Sequence, residues 1–229
     1  MTEYRRYAIF HAPAEGSALA RFGARWLGWD AQAGRGASPP SPPDQWEEIT
    51  RTPRRYGFHG TLKPPFRLAR DARPEALRDA IRTLAATRAP VRCAPLHLSR
   101  LGPFCALQPA SPCAGLADLA AAVVVGLDGF RAPATAEELA RRRAAGLSAR
   151  QEENLVRYGY PYVLEEFRFH LTLTGAMAAG DADAVEADLR GRVAPFTADP
   201  FEIREICLFG ERDDGRFRIL DRFALTGRP

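Results

Sequence analysis

At 229 residues, with 46% apolar and 26% charged side chains, the chain has the size and balance of one sizeable domain or two small lobes sharing an interface, which excludes disorder and independent domains. A formal net charge of +4 suits a phosphate-bearing ligand but falls short of demanding a nucleic-acid polymer. No stretch reaches the roughly 20 apolar residues of a bilayer span, and the start lacks the apolar region and cleavage site of a signal peptide; the expectation is a cytoplasmic protein without a membrane partner.

Residues 7–13 read as a strand, followed by an amphipathic helix through Leu19, Phe22 and Trp26. The segment 34–43 (GRGASPPSPP) predicts an exposed loop, because Pro removes donors and fixes φ. A short strand over 54–63 is then expected to stop at Pro64 and Pro65, and a helix to run from about Asp71 through Leu77, Ile81 and Leu84. Strand-like runs near 91–98 and 104–108 precede an apolar helix over 116–127. Thr135 and Glu138 have capping-box spacing and predict one charged, solvated helical insertion over about 135–157. A strand over 166–175, a helix capped by Asp181, and closing strands over 201–209 and 217–225 around an Asp-Asp-Gly turn complete the chain. Each half thus reads as strand, helix and strand pair, which predicts an internal repeat.

The repeat carries chemistry. Phe58-His-Gly-Thr-Leu62 and Phe169-His-Leu-Thr-Leu173 agree at four positions of five and hold two of the chain's 4 histidines. Alternation along a strand places His59 with Thr61 on one face and His170 with Thr172 on another, while Phe58, Leu62, Phe169 and Leu173 turn to the core. By the same parity Lys63 joins the first polar row, and Arg168 and Thr174 the second. All but one of the 32 basic residues are Arg, so the single Lys63 reads as a position that needs a compact ammonium. If the two strands adjoin, the rows line one cleft suited to in-line attack at phosphorus. One imidazole serves as base and the other as acid, Thr61 and Thr172 hold the non-bridging oxygens, and Lys63 or Arg168 balances the developing charge. No metal or other cofactor is required by this scheme. Tyr56 and Tyr160 are weaker candidates for contacting the substrate, and His11 and His97 read as structural. Cys93, Cys105, Cys113 and Cys207 have no C-x-x-C spacing and read as buried thiols.

With these residues in view, the chain resembles the two-histidine (2H) phosphoesterase superfamily, the LigT-like group with two H-x-[ST] motifs. Arg55–Pro65, Arg150-Gln151, Asn154-Leu155, Tyr158–Val163 and Phe167–Gly175 are most similar to the branch named for phosphonate metabolism. The resemblance spans nearly the whole chain. It implies a bilobal, internally duplicated α+β fold over residues 1–229, two antiparallel-type sheets forming a central cleft, and helices outside. It also implies that His59 and His170 are the acid/base pair and Thr61 and Thr172 the phosphate ligands. The expected substrate is a small phosphorylated sugar or nucleotide, as a 2′,3′-cyclic nucleotide or a ribose cyclic phosphate. Two alternatives stay open: a non-catalytic RNA- or nucleotide-binding module, and, with little support, a metal hydrolase. Neither the oligomeric state nor the assignment of base and acid follows from the sequence.

Overall fold

This computed structural model describes residues 4–43, 45–144 and 146–228. β1 (Tyr7–His11) is buried along its length. α1 (Ala18–Leu27) follows, its Ser17 hydroxyl accepting from the Ala20 N–H at one end and Gly28, at φ 78°, closing the other. β2 (Trp29–Asp30) and β3 (Arg35–Gly36) pair as a small hairpin, so the Pro-rich stretch is a loop apart from that pairing. α2 (Trp46–Arg54) is a helix that the sequence reading did not anticipate. Trp46, Ile49, Thr50 and Pro53 form its buried face at spacings of three and four, while the prolines around it obscured the period.

β4 (Gly60–Phe66) runs through Pro64 and Pro65 instead of stopping there. Its register against β1 shifts twice, at irregularities where the ladder does not need a donor from every residue. α3 (Pro74–Ala86) starts at Pro74 as its first residue, three later than Asp71 suggested. β5 (Val91–Leu101) and β6 (Phe104–Pro109) form a hairpin, and α4 (Ala114–Gly126) buries Leu116, Leu119, Ala120, Val123 and Val124. The expected insertion is two helices, α5 (Ala136–Arg143) and α6 (Ala149–Tyr158), each with its own capping box, Thr135/Glu138 and Ser148/Gln151. Gly146, at φ 72°, lies between them. β7 is only Leu171–Thr172. The expected longer strand is absent because the regular ladder ends there: the Leu173 and Thr174 N–H groups share Cys105 O of β6, the Leu173 carbonyl accepts from Trp26 Nε1, and Gly175 N–H donates to Ile49 O. α7 (Ala179–Val193) leads into β8 (Pro200–Ile203), β9 (Glu205–Glu211) and β10 (Phe217–Ala224).

Eight strands form one curled antiparallel sheet in the order β10-β9-β1-β4-β7-β6-β5-β8, giving a mixed α+β fold. Its two four-strand halves meet between β4 and β7, where one residue pair, Gly60 with Leu171, joins them. The halves of the sheet are not the halves of the sequence. β5 and β6 sit with β7 and β8, whereas β9 and β10 return to β1 and β4. The single strand expected over 201–209 is broken at Arg204, and its two parts serve opposite halves.

α3, α4 and α7 cover one face of the sheet, burying Ile9, Leu62, Leu107, Leu171 and Leu208 against Leu77, Ile81, Leu119, Val123 and Leu189. On the other face of the first half, Phe10, Trp29, Phe209 and Phe217 form a smaller cluster. No helix among the described residues is long and apolar enough to cross a membrane.

Candidate active site

The two HxT strands meet at their central residues. Gly60, the x of the first motif, pairs antiparallel with Leu171, the x of the second. In an antiparallel ladder the flanking positions then oppose one another, so His59 stands across from Thr172 and His170 across from Thr61. The local two-fold axis passes through the Gly60–Leu171 pair, and each imidazole faces the other motif's hydroxyl. Phe58, Leu62, Phe169 and Leu173 turn into the core as the alternation required. Gly60 is needed for this approach, because a Cβ there would overlap the Phe169 ring.

Both histidines are held in the same way. His59 Nδ1 lies 2.9 Å from Gly57 O and His170 Nδ1 2.8 Å from Arg168 O, the carbonyl two residues back in each case. A carbonyl oxygen only accepts, so Nδ1 carries the proton and Nε2 is the basic nitrogen of each neutral ring. His59 Nε2 lies 3.3 Å from Thr61 Oγ1. The His59 ring stacks on Phe10 at 3.9 Å between centroids, with Tyr56 at 5.7 Å. Burial among these rings lowers its pKa to about 4; the Gly57 carbonyl opposes the shift and the charge of His170 adds to it. Burial also lowers His170, against the Arg168 carbonyl.

Two adjoining cavities make up the cleft. One, of about 360 Å³, holds His59, Thr172, Tyr56 and Arg142; the other, of about 560 Å³, holds His170, Arg168 and Glu166. Thr61, Pro64, Phe104 and Tyr160 belong to both. The structure therefore brings His59, His170, Thr61, Thr172, Arg168, Tyr56 and Tyr160 to one cleft. Thr174 reaches its edge, but its Oγ1 accepts from the Cys105 N–H.

Lys63 is not in the cleft, and its assignment there is corrected. Phe10 pairs with Thr61 and Ile9 with Lys63, so Leu62 is an extra residue, a β-bulge that reverses the alternation. Lys63 consequently points to the helix-covered face, where it is 2% exposed. Its Nζ donates to Val124 O and Asp128 Oδ1, both at 3.1 Å, and burial lowers its pKa. The cation that sequence reasoning missed is Arg142, from the last turn of α5, with its guanidinium carbon 4.7 Å from the Tyr160 ring centre. Three consecutive arginines, 141–143, were the available signal, but nothing in their order says which one turns inward.

His11 is buried beside Phe201 and Phe169, outside the two cavities. A third pair at the motif's spacing, His97 and Ser99 on β5, has Nε2 2.7 Å from the hydroxyl and lines neither cavity. Cys113 is half-buried, unlike the other cysteines. Among the described residues, no group of three or more His, Cys, Asp or Glu side chains is placed to hold a metal ion.

Residues 61–218 match the family described as "Protein of unknown function (DUF1045)". A curated protein of Janthinobacterium sp. (strain Marseille), named ribose 1,5-bisphosphate phosphokinase PhnN, is 39% identical over 190 residues, covering 79% of this chain and 41% of its own length. The like-named protein of Laribacter hongkongensis (strain HLHK9) is 38% identical over 176 residues, covering 75% of this chain and 40% of its own. The chain thus spans about two-fifths of the length of the curated relatives it matches. Among solved structures, Escherichia coli LigT complexed with 3′-AMP is 19% identical with a TM-score of 0.43, covering 98% of this chain and 99% of that one.

Proposed function

The chain belongs to the DUF1045 family, and from the meeting of its two histidine strands we propose that it is a phosphoesterase of the two-histidine type that hydrolyses a cyclic phosphodiester. The observation that carries this reading is the pairing of Gly60 with Leu171, which sets two basic Nε2 atoms and two threonine hydroxyls around a local two-fold axis. In-line displacement at phosphorus needs that arrangement: a base on the attacking oxygen and an acid on the opposite leaving oxygen.

His59, the more strongly desolvated and the lower in pKa, is assigned as the base, and His170, in its protonated form, as the acid. Water gives its proton to His59 Nε2 and bonds to phosphorus, the ring P–O bond breaks, and the leaving oxygen takes the proton from His170 Nε2. Thr61 and Thr172 donate to the non-bridging oxygens, and Arg168 at the His170 end adds positive charge. Tyr160 stays a neutral donor, since burial raises its phenol above the ordinary value. Both proton transfers come from side chains, so the route calls for no metal.

The curated relatives supply a substrate class. Their name concerns ribose 1,5-bisphosphate, and water that opens a 1,2-cyclic phosphate on ribose 5-phosphate at the 2-oxygen yields that compound. A phosphorylated ribose carrying a cyclic phosphate is therefore the preferred substrate in this proposal, with a 2′,3′-cyclic nucleotide as the related case. The place in phosphonate metabolism implied by the resemblance, and a cytoplasmic setting, belong to the same proposal. Phosphorus NMR of the purified protein with a panel of cyclic phosphates, in the presence of chelator, is expected to show a new phosphomonoester. His59→Ala and His170→Ala should each lower kcat by about 10²–10⁴-fold. No turnover across the panel, or turnover indifferent to both substitutions, overturns the reading.

A further inference from the structure

α5 presents three arginines in its last turn, and they have three different fates. Arg143 grips Glu152 of α6 through Nε and Nη2, which, with the contact between Arg67 and Glu138, clamps α5 against α6 and the end of β4. Arg141 is exposed. Arg142 turns inward, laid on the Tyr160 ring, and lines the His59 cavity. That cavity has no carboxylate in its lining: beside His59 and the threonines 52, 61, 172 and 174, its walls are Phe10, Tyr56, Phe104 and prolines. Among the described residues Arg142 has no acidic partner. A half-buried guanidinium with no carboxylate beside it is costly, and an anion that fills the space removes the cost.

Arg142 also lies apart from the acid of the reaction. It lines the cavity of His59 and not that of His170, whereas the scissile phosphate must reach both imidazoles at the junction marked by Thr61. Arg168 occupies the opposite end, exposed and in a cavity that already contains Glu166. Arg100 lines the same second cavity but is paired with Asp183 and Glu186, so of the three cations Arg142 is the one whose surroundings ask for a ligand charge.

We infer that Arg142, supported by Tyr160, is a specificity subsite for a second, non-scissile phosphate, so that the preferred substrate is a cyclic phosphodiester bearing a terminal phosphomonoester. This deepens the proposed function and rests on it for the position of the scissile group. The planar fork of Arg142 suits a phosphate dianion held by two parallel N–H···O bonds, which a hydroxyl in the same place cannot match.

The test compares a 2′,3′-cyclic nucleotide with and without a 5′-phosphate on the wild type, Arg142→Gln and Arg142→Lys. The wild type should favour the phosphorylated member in kcat/KM by roughly 10- to 100-fold, the range for a hydrogen bond to a charged group. Arg142→Gln should bring that ratio close to one, and Arg142→Lys should keep part of it. A structural role for Arg142 would lower both substrates together and leave the ratio intact. An unchanged ratio in Arg142→Gln, or a wild type that does not discriminate, overturns the subsite while the phosphodiesterase reading stands. If neither nucleotide turns over, the full panel of cyclic phosphates decides the reading above, and calorimetry with ribose 5-phosphate decides the subsite alone: binding lost in Arg142→Gln but retained in part by Arg142→Lys supports it, and equal binding by all three proteins overturns it.

Discussion

His59 and His170 share one backbone hydrogen-bond pattern but not one medium. His59 is enclosed by Phe10, Tyr56 and Phe209, and its pKa is lowered to about 4, while His170 is lowered by burial to a value below the ordinary 6.5. The productive free enzyme, with His59 neutral and His170 protonated, is therefore most populated above the first value and below the second. kcat/KM is expected to peak between about pH 4 and 6.5 and to fall towards alkaline pH as His170 loses its proton. A bound phosphate raises both imidazoles, so the limbs of kcat should lie at higher pH than those of kcat/KM. A kcat/KM profile still rising through pH 8 would show that no protonated histidine is required and would overturn the acid–base scheme. The histidines and threonines were legible in the sequence because two copies of a five-residue pattern are a local signal. Arg142 was not, because its role depends on where α5 lands, and no short-range pattern encodes that.

β4 shows how one inserted residue redirects a strand. Its first half obeys the alternation that identified His59 and Thr61, and the bulge at Leu62 then hands Lys63 to the other face. Parity is a sound guide only as far as the ladder is regular, and a bulge leaves little trace in a single sequence. Lys63 becomes a clamp: it ties the sheet to the C-terminal turn of α4 through Val124 and to Asp128, which also pairs with Arg131 at 2.8 Å. Lys63→Met is expected to lower stability by about 1.5–3 kcal/mol in denaturant titrations, the range for a hydrogen-bonded charge. It should leave the pH profile of kcat/KM in place; a displaced profile would return Lys63 to the chemistry. At the joint itself, Gly60→Ala forces a methyl group against Phe169, which is buried in the core and has little room to yield. About 1–3 kcal/mol of stability should be lost, together with a fall in kcat larger than that of Lys63→Met, because β4 and β7 must part to admit the group. Equal kcat in the two variants would show that the spacing of the strands is not limiting.

Over the whole molecule, the composition, the alternation of strands and helices and the duplicated motif pointed to the α+β class, but not to the way the halves interlace. Long-range strand order is set by which edges remain available, and no window of sequence reports it. The short β7 and the hidden α2 were missed for related reasons, since backbone groups that bond outside a ladder and a helix among prolines both defeat a local period. Charge is likewise a property of the whole. A net charge of +4, with Arg142 and Arg168 at the cleft beside an Arg100 already paired with Asp183 and Glu186, predicts weak binding to oligonucleotides. Engagement of two phosphates by single-stranded nucleic acid gives a log–log salt slope near about −1.4, independent of length. A slope that steepens as the oligonucleotide lengthens would favour the alternative of a nucleic-acid-binding module.

Arg204, the single residue between β8 and β9, is where the chain steps from one half-sheet to the other. During synthesis β1 and β4 precede β9 by more than a hundred residues, and β1 has no neighbour on its outer side until β9 arrives. Over that length the first half-sheet waits with an open edge, the kind of surface that pairs with a wrong strand. Neither lobe exists as a continuous piece of polypeptide that could mature ahead of the other. The two histidines come together only when β7 reaches β4, so a nascent chain carries the first motif for more than a hundred residues before it has a cleft.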